Sequence, residues 1–434
     1  MKVAAFLPVK GHSERIENKN ISLLGNKPLF HWMLESLLKC KNIDEVYLDT
    51  ESQQVIDLAY NYKCKIFRRD SSLADNKTDG NKLFYNEASK IKADIYVMAL
   101  CTSPFLKAET IDEGIKFLIK HKEYDSVVAV FNDKQYTWNE KFKTNYNLDK
   151  IPNSKDLTNT IIETMGLYIV RNSVVLKNKR RIGEKPYLMN ISRQESFDIN
   201  FPEDMNMANK IANGILIDNY KRNRMYSLFL NTAIISDAMD NLKITGRHLS
   251  NKFISNFNNA KFCGNIRTIS IKKLINKKDT KKIYDGLPFL EKLSLGDVLM
   301  VSNEIPKCAY FGELMSTLAI KQGLSGAVID GFTRDNDDTV RLDFPVFAKG
   351  RFSLDTKYKA YIHSVDHKIQ IDGIDIYPGD FVFADADSII ILDKNEKARV
   401  LEEALKIYKN ETMIKNDILS GLNVENLMKR HGMF

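Results

Sequence analysis

Across the first 215 residues, short β-type runs alternate with amphipathic stretches, and few chain folds accommodate that rhythm. The strand runs are Val3–Pro8, Glu45–Asp49, Cys64–Phe67, Ile95–Leu100, Ser126–Phe131 and Met165–Val170. Helical patterns at Leu29–Leu38, Gln53–Tyr62 and Thr110–Lys120 lie between them. Such alternation predicts an α/β fold, a mostly parallel sheet with helices on its faces. Ligands of these sheets bind outside the carboxyl ends of the strands. The loop after the first strand is therefore the first place to look for chemistry.

The segment Ile215–Tyr226, with Lys221, Arg222, Asn223 and Arg224, reads as a connector. A second pattern begins at Leu230–Met239 and continues through strand-like Ile266–Ile271, Asp297–Val301, Ala327–Ile329 and Phe381–Phe383. Gly and Pro punctuate this half more densely, and no repeat links it to the first. Two domains are expected, at 1–220 and 225–434. The second ends in amphipathic helices over Glu396–Tyr408 and Met413–Met428 that should pack on a neighbour. A chain of 434 residues allows two or three domains at roughly 100 to 200 residues each.

With 44% apolar and 28% charged residues, the chain is neither disordered nor low-complexity. Cys40, Cys64, Cys101, Cys263 and Cys308 form no CxxC pair, which argues against a disulfide scaffold or a zinc site and for a reducing compartment. No apolar stretch approaches the roughly 20 residues needed to span a bilayer. The run Val3–Val9 is too short for a signal segment and contains Pro8, so a cytoplasmic protein is expected, with no membrane partner. The net charge of +8 is spread thinly. Its densest runs, Lys177–Arg181 and the six lysines between Lys272 and Lys282, read as solvated faces. No aromatic-interleaved RNA-binding signature accompanies them, so nucleic acid is not an expected partner. Anionic small molecules suit a mild positive excess equally well.

Lys10-Gly11-His12-Ser13-Glu14-Arg15-Ile16-Glu17-Asn18-Lys19-Asn20 follows the first strand directly. A glycine lets backbone approach a phosphate closely, and basic side chains neutralise it. The P-loop spacing is absent. Further along stand Leu24-Gly25-Asn26-Lys27-Pro28-Leu29 before a helix with Trp32, the step Asp49-Thr50-Glu51, and Arg69 with Leu73-Ala74. Thr102-Ser103-Pro104 and Phe197-Asp198-Ile199-Asn200 complete the series. In this order the motifs resemble the acylneuraminate cytidylyltransferase family, the CMP-sialic acid synthetases, over roughly residues 1–213.

The resemblance implies a Rossmann-like nucleotidyltransferase that moves CMP from CTP to the anomeric hydroxyl of an acidic 2-keto sugar and releases pyrophosphate. By position it places Lys10, Gly11, Ser13, Asn20 and Arg69 at the nucleotide. It puts Lys19 and Arg15 at the reacting phosphates, and Asp198 on Mg²⁺. Such chemistry needs the α-phosphate charge neutralised and the attacking and leaving oxygens held in line. Three positions depart from the family pattern. Asn200 replaces a second aspartate, Leu100 stands where many members have Gln, and Glu14 replaces a basic residue beside Arg15.

In the second half, Phe311-Gly312-Glu313-Leu314-Met315 precedes Gly326-Ala327-Val328-Ile329-Asp330-Gly331-Phe332-Thr333-Arg334-Asp335. An Arg-Asp pair after an apolar strand can grip a carboxylate with its guanidinium and a divalent metal with its own carboxylate, or can be a surface ion pair. With Gly296-Asp297, Phe344-Pro345 and Tyr377-Pro378-Gly379-Asp380, these motifs look like the family of the regulator of ribonuclease E activity A and the metal-dependent 4-hydroxy-4-methyl-2-oxoglutarate aldolases, over 228–395. That resemblance implies a second α/β domain cleaving or decarboxylating a pyruvate-containing 2-keto acid. Arg334 would bind the pyruvyl carboxylate, Asp335 would ligate Mg²⁺ or Mn²⁺, and Glu313 would hold a metal-bound water. The backbone N–H groups of Leu314 and Met315 would complete the cradle.

The expectation is thus a bifunctional enzyme, a cytidylyltransferase fused to a lyase. The alternative keeps the cytidylyltransferase with a different acidic acceptor and makes the second domain a non-catalytic oligomerisation or ribonuclease-regulating module. Both resemblances imply a homo-oligomer, whether dimer, trimer or hexamer. His363 and His367 stand four apart in a β-like segment and need not share a face.

Overall fold

The computed structural model describes every residue except Asn61, Asn76, 275–282, Pro306 and 433–434. The lysine run between Lys272 and Lys282 therefore falls largely outside the described residues. The chain divides into two compact units, Met1–Ala212 and Asn213–Phe434.

The first unit is built on seven strands: β1 (Val3–Pro8), β2 (Glu45–Thr50), β3 (Lys65–Arg68), β4 (Ile95–Ala99), β5 (Ser126–Asp133), β6 (Thr160–Arg171) and β7 (Pro186–Asn190). Their order is β3-β2-β1-β4-β6-β5-β7, and β6 alone runs against the others. Apolar residues fill β1 without a break, as a strand covered on both faces requires. Side chains alternate across the sheet. Val3, Ala5 and Leu7 pack with Phe30, Met33 and Leu34 of α1 (Leu29–Lys39) and with Ile111, Ile115 and Leu118 of α4 (Ala108–Lys120). On the opposite face Ala4 and Phe6 meet Phe84 of α3 (Gly80–Lys90) and Val174 and Val175 of α5 (Asn172–Asn178). The short α2 (Gln53–Leu58) follows β2, its N-terminus capped by the Ser52 hydroxyl.

Because β2 and β3 extend to one side of β1 and β4 lies on the other, strand order switches between β1 and β4. At such a switch neighbouring loops diverge, leaving a crevice at the strand ends. The loop beginning at Lys10 lines it.

The segment read as a connector is instead helical. One helix, α6 (Pro202–Phe229), runs through it. Pro202 stands at its first position, Glu203 and Asp204 occupy its first turn, and residues 215–229 contain no glycine or proline to stop it.

The second unit takes in the C-terminal part of α6, continues with α7 (Thr232–Asn241) and is built on a larger mixed sheet. At its centre four parallel strands lie side by side: β8 (Phe262–Lys273), β9 (Asp297–Asn303), β11 (Gly326–Thr333) and β12 (Val346–Arg351). The short β10 (Ala309–Phe311) pairs with β11. Antiparallel Phe381–Ala384 and Ile389–Leu392 extend the sheet beyond β8. One face carries α8 (Leu287–Leu290) and α9 (Glu313–Gln322) over Leu299, Val301, Ala327 and Ile329. The short α10 (Asn336–Arg341) follows β11, and α11 (Lys397–Leu419) precedes α12 (Val424–His431). Val400, Leu401 and Ala404 of α11 join Ile234, Ile235 and Ala238 of α7 in one core with Phe381 and Phe383. Among the described residues no helix is long and apolar enough to cross a membrane.

Candidate functional site

In the first unit, loops from different strands are laced together at the switch point. Gly11 donates its N–H to Glu51 Oε1 at 2.7 Å, and a Cβ at Gly11 would stand 2.6 Å from that of Ser52. Only glycine lets the loop pass this close. Asn18, at φ 52°, turns the chain into a single 3-10 turn, Lys19–Ile21, that buries Lys19 and Asn20. Asn20 donates to the Lys10 carbonyl at 2.8 Å and accepts from the Cys101 thiol at 3.3 Å. Burial pushes that thiol up to about 12, so it stays a donor. The Ile199 N–H binds the Thr102 carbonyl at 2.9 Å, and Lys19 Nζ donates to the Ile199 carbonyl at 2.8 Å.

The charges of this crevice are partly dehydrated. Lys19 is 7% exposed, and burial lowers its ammonium from the ordinary lysine range, while Cys101 and Asp198 work the other way. Its Nζ has three N–H donors. Arg15 is exposed, with its guanidinium 5.5 Å from the centre of the Phe201 ring. Asp198 accepts from the Asn200 amide through Oδ2, while Oδ1 is buried without a partner. An orphaned carboxylate oxygen buried beside a lysine is a position that suits a small hard cation. Asn200, where the family pattern has a second aspartate, here serves as a donor to the first. Asp204 caps the start of α6 through the N–H groups of Asn200 and Phe201. Ser13 is half-buried in the same loop.

Arg69 is turned inward. It binds Asp49 through Nε to Oδ1 at 3.0 Å and Nη2 to Oδ2 at 2.9 Å, and only its Nη1 edge looks toward the loop, 3.9 Å from Glu51 Oε2. Arg181, counted in a solvated run, places its guanidinium carbon 4.2 Å from the centre of the Tyr168 ring.

The second unit gathers its candidates at the ends of β10 and β11. Asp335 adopts φ 52° and accepts the Glu313 N–H at 3.2 Å. A Cβ on Gly312 would stand 2.4 Å from Asp335 Oδ2, so glycine is what admits that carboxylate. Glu313 opens α9, placing the N–H groups of Leu314 and Met315 in a first turn without intrahelical acceptors. Arg334 Nε lies 3.5 Å from Asp335, and Nη1 pairs with Asp355 at 2.8 Å. Glu313 faces Arg341 at 3.9 Å.

Sequence reasoning thus placed Lys10, Gly11, Lys19, Asn20 and Asp198 in one laced crevice, and Glu313, Leu314, Met315, Arg334 and Asp335 in one cluster. It gave no role to Asp49, Glu51, Glu87 or Asp355. Asp49 and Glu51 stood in a motif already noted. Glu87 follows Phe84 by one helical turn and precedes Ala88, a spacing that marks a buried face. Nothing local marks Asp355. Among the described residues no three His, Cys, Asp or Glu side chains form a metal-holding group. His363 lies on a strand ending at Val365, and His367 lies beyond it.

Against known families, the cytidylyltransferase model matches residues 4–227, more than half of the chain. This chain belongs to the cytidylyltransferase family. A second family model, aldolase/RraA, matches residues 232–391. The CMP-N,N'-diacetyllegionaminic acid synthase of Legionella pneumophila is 30% identical to this cytidylyltransferase over 227 residues, 49% of this chain and 96% of the synthase. Protein DlpA of the same organism is 28% identical over 196 residues, 45% of this chain, and the match spans only 31% of DlpA. A Halalkalibacterium halodurans protein, provisionally named a 4-hydroxy-4-methyl-2-oxoglutarate aldolase, is 29% identical over 177 residues, 40% of this chain and 78% of that protein.

Proposed function

We propose that the first unit transfers CMP from CTP to the anomeric hydroxyl of a sialic-acid-like 2-keto sugar acid. The observation that carries this is the buried Lys19 ammonium in one crevice with the buried, unpartnered Oδ1 of Asp198, at the strand-order switch of a cytidylyltransferase. In the transfer, the sugar oxygen bonds to the α-phosphorus, the bond to the β-phosphate oxygen breaks, and the hydroxyl proton passes to water. Lys19 neutralises phosphate charge in a site where water is scarce, so its attraction is screened little. Gly11 gives the phosphates access to backbone, and Lys10, Ser13 and Arg15 stand along the loop to hold them. Asn20, fixed by Lys10 and Cys101, orients the nucleotide. Asp198 would hold Mg²⁺, which needs only one or two carboxylates when phosphates and water complete its shell, and which would supply further charge neutralisation. The test is pyrophosphate release with CTP, Mg²⁺ and a panel of 2-keto sugar acids. Release with none of them would sink the proposal.

For the second unit we propose a pyruvate-compound lyase site in which Arg334 holds the ligand carboxylate and Asp335 holds Mg²⁺ or Mn²⁺. One observation favours a second reading, a binding or oligomerisation module without catalysis: the Arg334 guanidinium is already paired with Asp355. Metal-dependent pyruvate release from a 2-keto acid, lost in Arg334→Ala, separates the two.

A further inference from the structure

Asp198 stands in the stretch that links β7 to α6, and a buried carboxylate shortly before it takes no part in the transfer step. Glu195 belongs to a turn in which Ser192, Arg193 and Gln194 are exposed, yet it is itself only 5% exposed. A charge removed from water needs hydrogen-bond partners in its place. Glu195 has them. Its Oε1 accepts the Lys107 N–H at 3.2 Å and the Thr110 hydroxyl, and its Oε2 accepts the Ser192 hydroxyl at 2.7 Å. Lys107 and Thr110 lie at the start of α4, where the N-cap residue, Lys107, makes no side-chain cap of its own. A carboxylate remote in sequence therefore closes this helix end, where the peptide dipoles favour negative charge.

The contact is one rung of a short ladder between the stretch ahead of α6 and the loop from β4 to α4. The Ile199 N–H binds the Thr102 carbonyl at 2.9 Å, the centres of the Phe197 and Phe105 rings stand 6.2 Å apart, and Glu195 meets the Lys107 N–H. Residue numbers fall on one side as they rise on the other, so the two segments run side by side in opposite directions. Asp198 falls between the rungs made by Phe197 and Ile199. The helix that holds the far end is itself fixed, because Ile111, Ile115 and Leu118 are buried in the core of the first unit. We propose that Glu195 is a positioning residue for the cation site at Asp198: by anchoring its turn to α4 it sets the backbone from which the unpartnered Oδ1 projects. The inference rests on the reading of Asp198 as the Mg²⁺ ligand of a CTP-dependent transfer. Mg²⁺ demands near-octahedral geometry, so a displaced carboxylate holds it less well.

The test uses the full chain as wild type, Glu195→Ala, Glu195→Gln, Thr110→Val and Asp112→Ala. CTP is titrated calorimetrically in saturating Mg²⁺ and again in EDTA. The ratio of the two affinities reads the cation site apart from the contacts to the nucleotide. Glu195→Ala should shrink that ratio about tenfold, the low end for groups that support a metal ligand, while CTP affinity in EDTA stays within about twofold. Gln keeps an acceptor for the Thr110 hydroxyl and should lose no more than about threefold. Asp112, on the same helix, holds instead the turn after α1, through the N–H groups of Lys41 and Asn42 at 2.8 and 2.9 Å. Asp112→Ala should therefore lower the melting temperature and leave the ratio unchanged. The idea is overturned if Glu195→Ala keeps the wild-type ratio, if it weakens CTP equally in both solutions, if Gln is impaired as much as Ala, or if Asp112→Ala shrinks the ratio as much. Should Glu195→Ala not fold, Thr110→Val decides: removing one donor should cut the ratio about threefold, and no change would overturn the idea. Wild type that binds no CTP, or binds it equally in both solutions, would sink the underlying reading and the inference with it, a result distinguishable because it appears without any substitution.

Discussion

The two units place candidate sites in equivalent spots, just past the carboxyl ends of parallel strands, yet they treat charge in opposite ways. In the first, Lys19 and Arg69 are 7% and 5% exposed, and loops are tied to one another through backbone carbonyls. In the second, the side chains of Arg334 and Asp335 are 36% and 40% exposed, and Arg334 is neutralised by Asp355 at 2.8 Å. A dehydrated cation next to an unpartnered carboxylate oxygen stores a strong preference for a ligand that brings phosphate and metal together. An exposed cation with its own carboxylate must first exchange one partner for another, and exposed pairs are worth little. A sequence motif therefore says which residues meet, while burial decides how strongly they act.

The largest expected effect tests the dehydrated side of this contrast. Lys19→Ala should cut kcat/KM for pyrophosphate release by about 10²- to 10³-fold, the scale of one lost donor in a water-poor site. A loss below about tenfold would show that Lys19 acts as an ordinary surface charge. Next comes the acid stability of the first unit. His31 on α1 is buried, with Nε2 against the Leu58 carbonyl at 3.1 Å, and burial lowers its ring from 6.5 to about 4. A depressed folded value means the neutral ring is favoured by folding. That stability is present above pH 6.5 and is lost as pH falls through about 4, up to about 3 kcal/mol. Melting curves of wild type should fall across this window relative to His31→Gln; parallel curves would contradict the assignment.

Smaller effects are expected in the second unit. Mg²⁺ with oxalate at about 100 times Kd should stabilise it by about 2.7 kcal/mol, and Arg334→Ala should abolish the shift. No shift in wild type would leave the non-catalytic module as the better reading. The smallest change is Asp355→Asn, which releases Arg334. Oxalate affinity in the same assay should rise by no more than about fivefold, the worth of an exposed ion pair. Weaker binding would make Asp355 part of the cradle rather than a competitor for it.

Much of the fold was legible because periodicity reports burial. The run Val3–Pro8 is β1 residue for residue, since a strand covered on both faces has no polar residue to blur its ends. Met165–Val170 captured only part of β6, which begins at Thr160 and pairs with β5 as an antiparallel extension where polar residues are tolerated. The supposed connector was misread because its basic cluster looked like a linker, whereas helix formers without a breaker simply continue α6. In the site, motif residues were found where chemistry constrains neighbours in sequence. Asp355 was invisible because its partner Arg334 is distant along the chain and adjacent only in space.

The ties among the Lys10, Cys101 and Ile199 segments carry one more consequence. Each joins one loop to another or to itself, so the loops are already ordered before any ligand arrives. Ordering a flexible residue costs about 1–2 kcal/mol, and a crevice laced in advance spares an incoming nucleotide that penalty. The rigidity has a converse. A binding region wired through its own backbone cannot easily reshape itself around a different base or a shorter phosphate chain. Selectivity for the nucleotide is then expected to come from poor accommodation of the wrong one as much as from attraction to the right one.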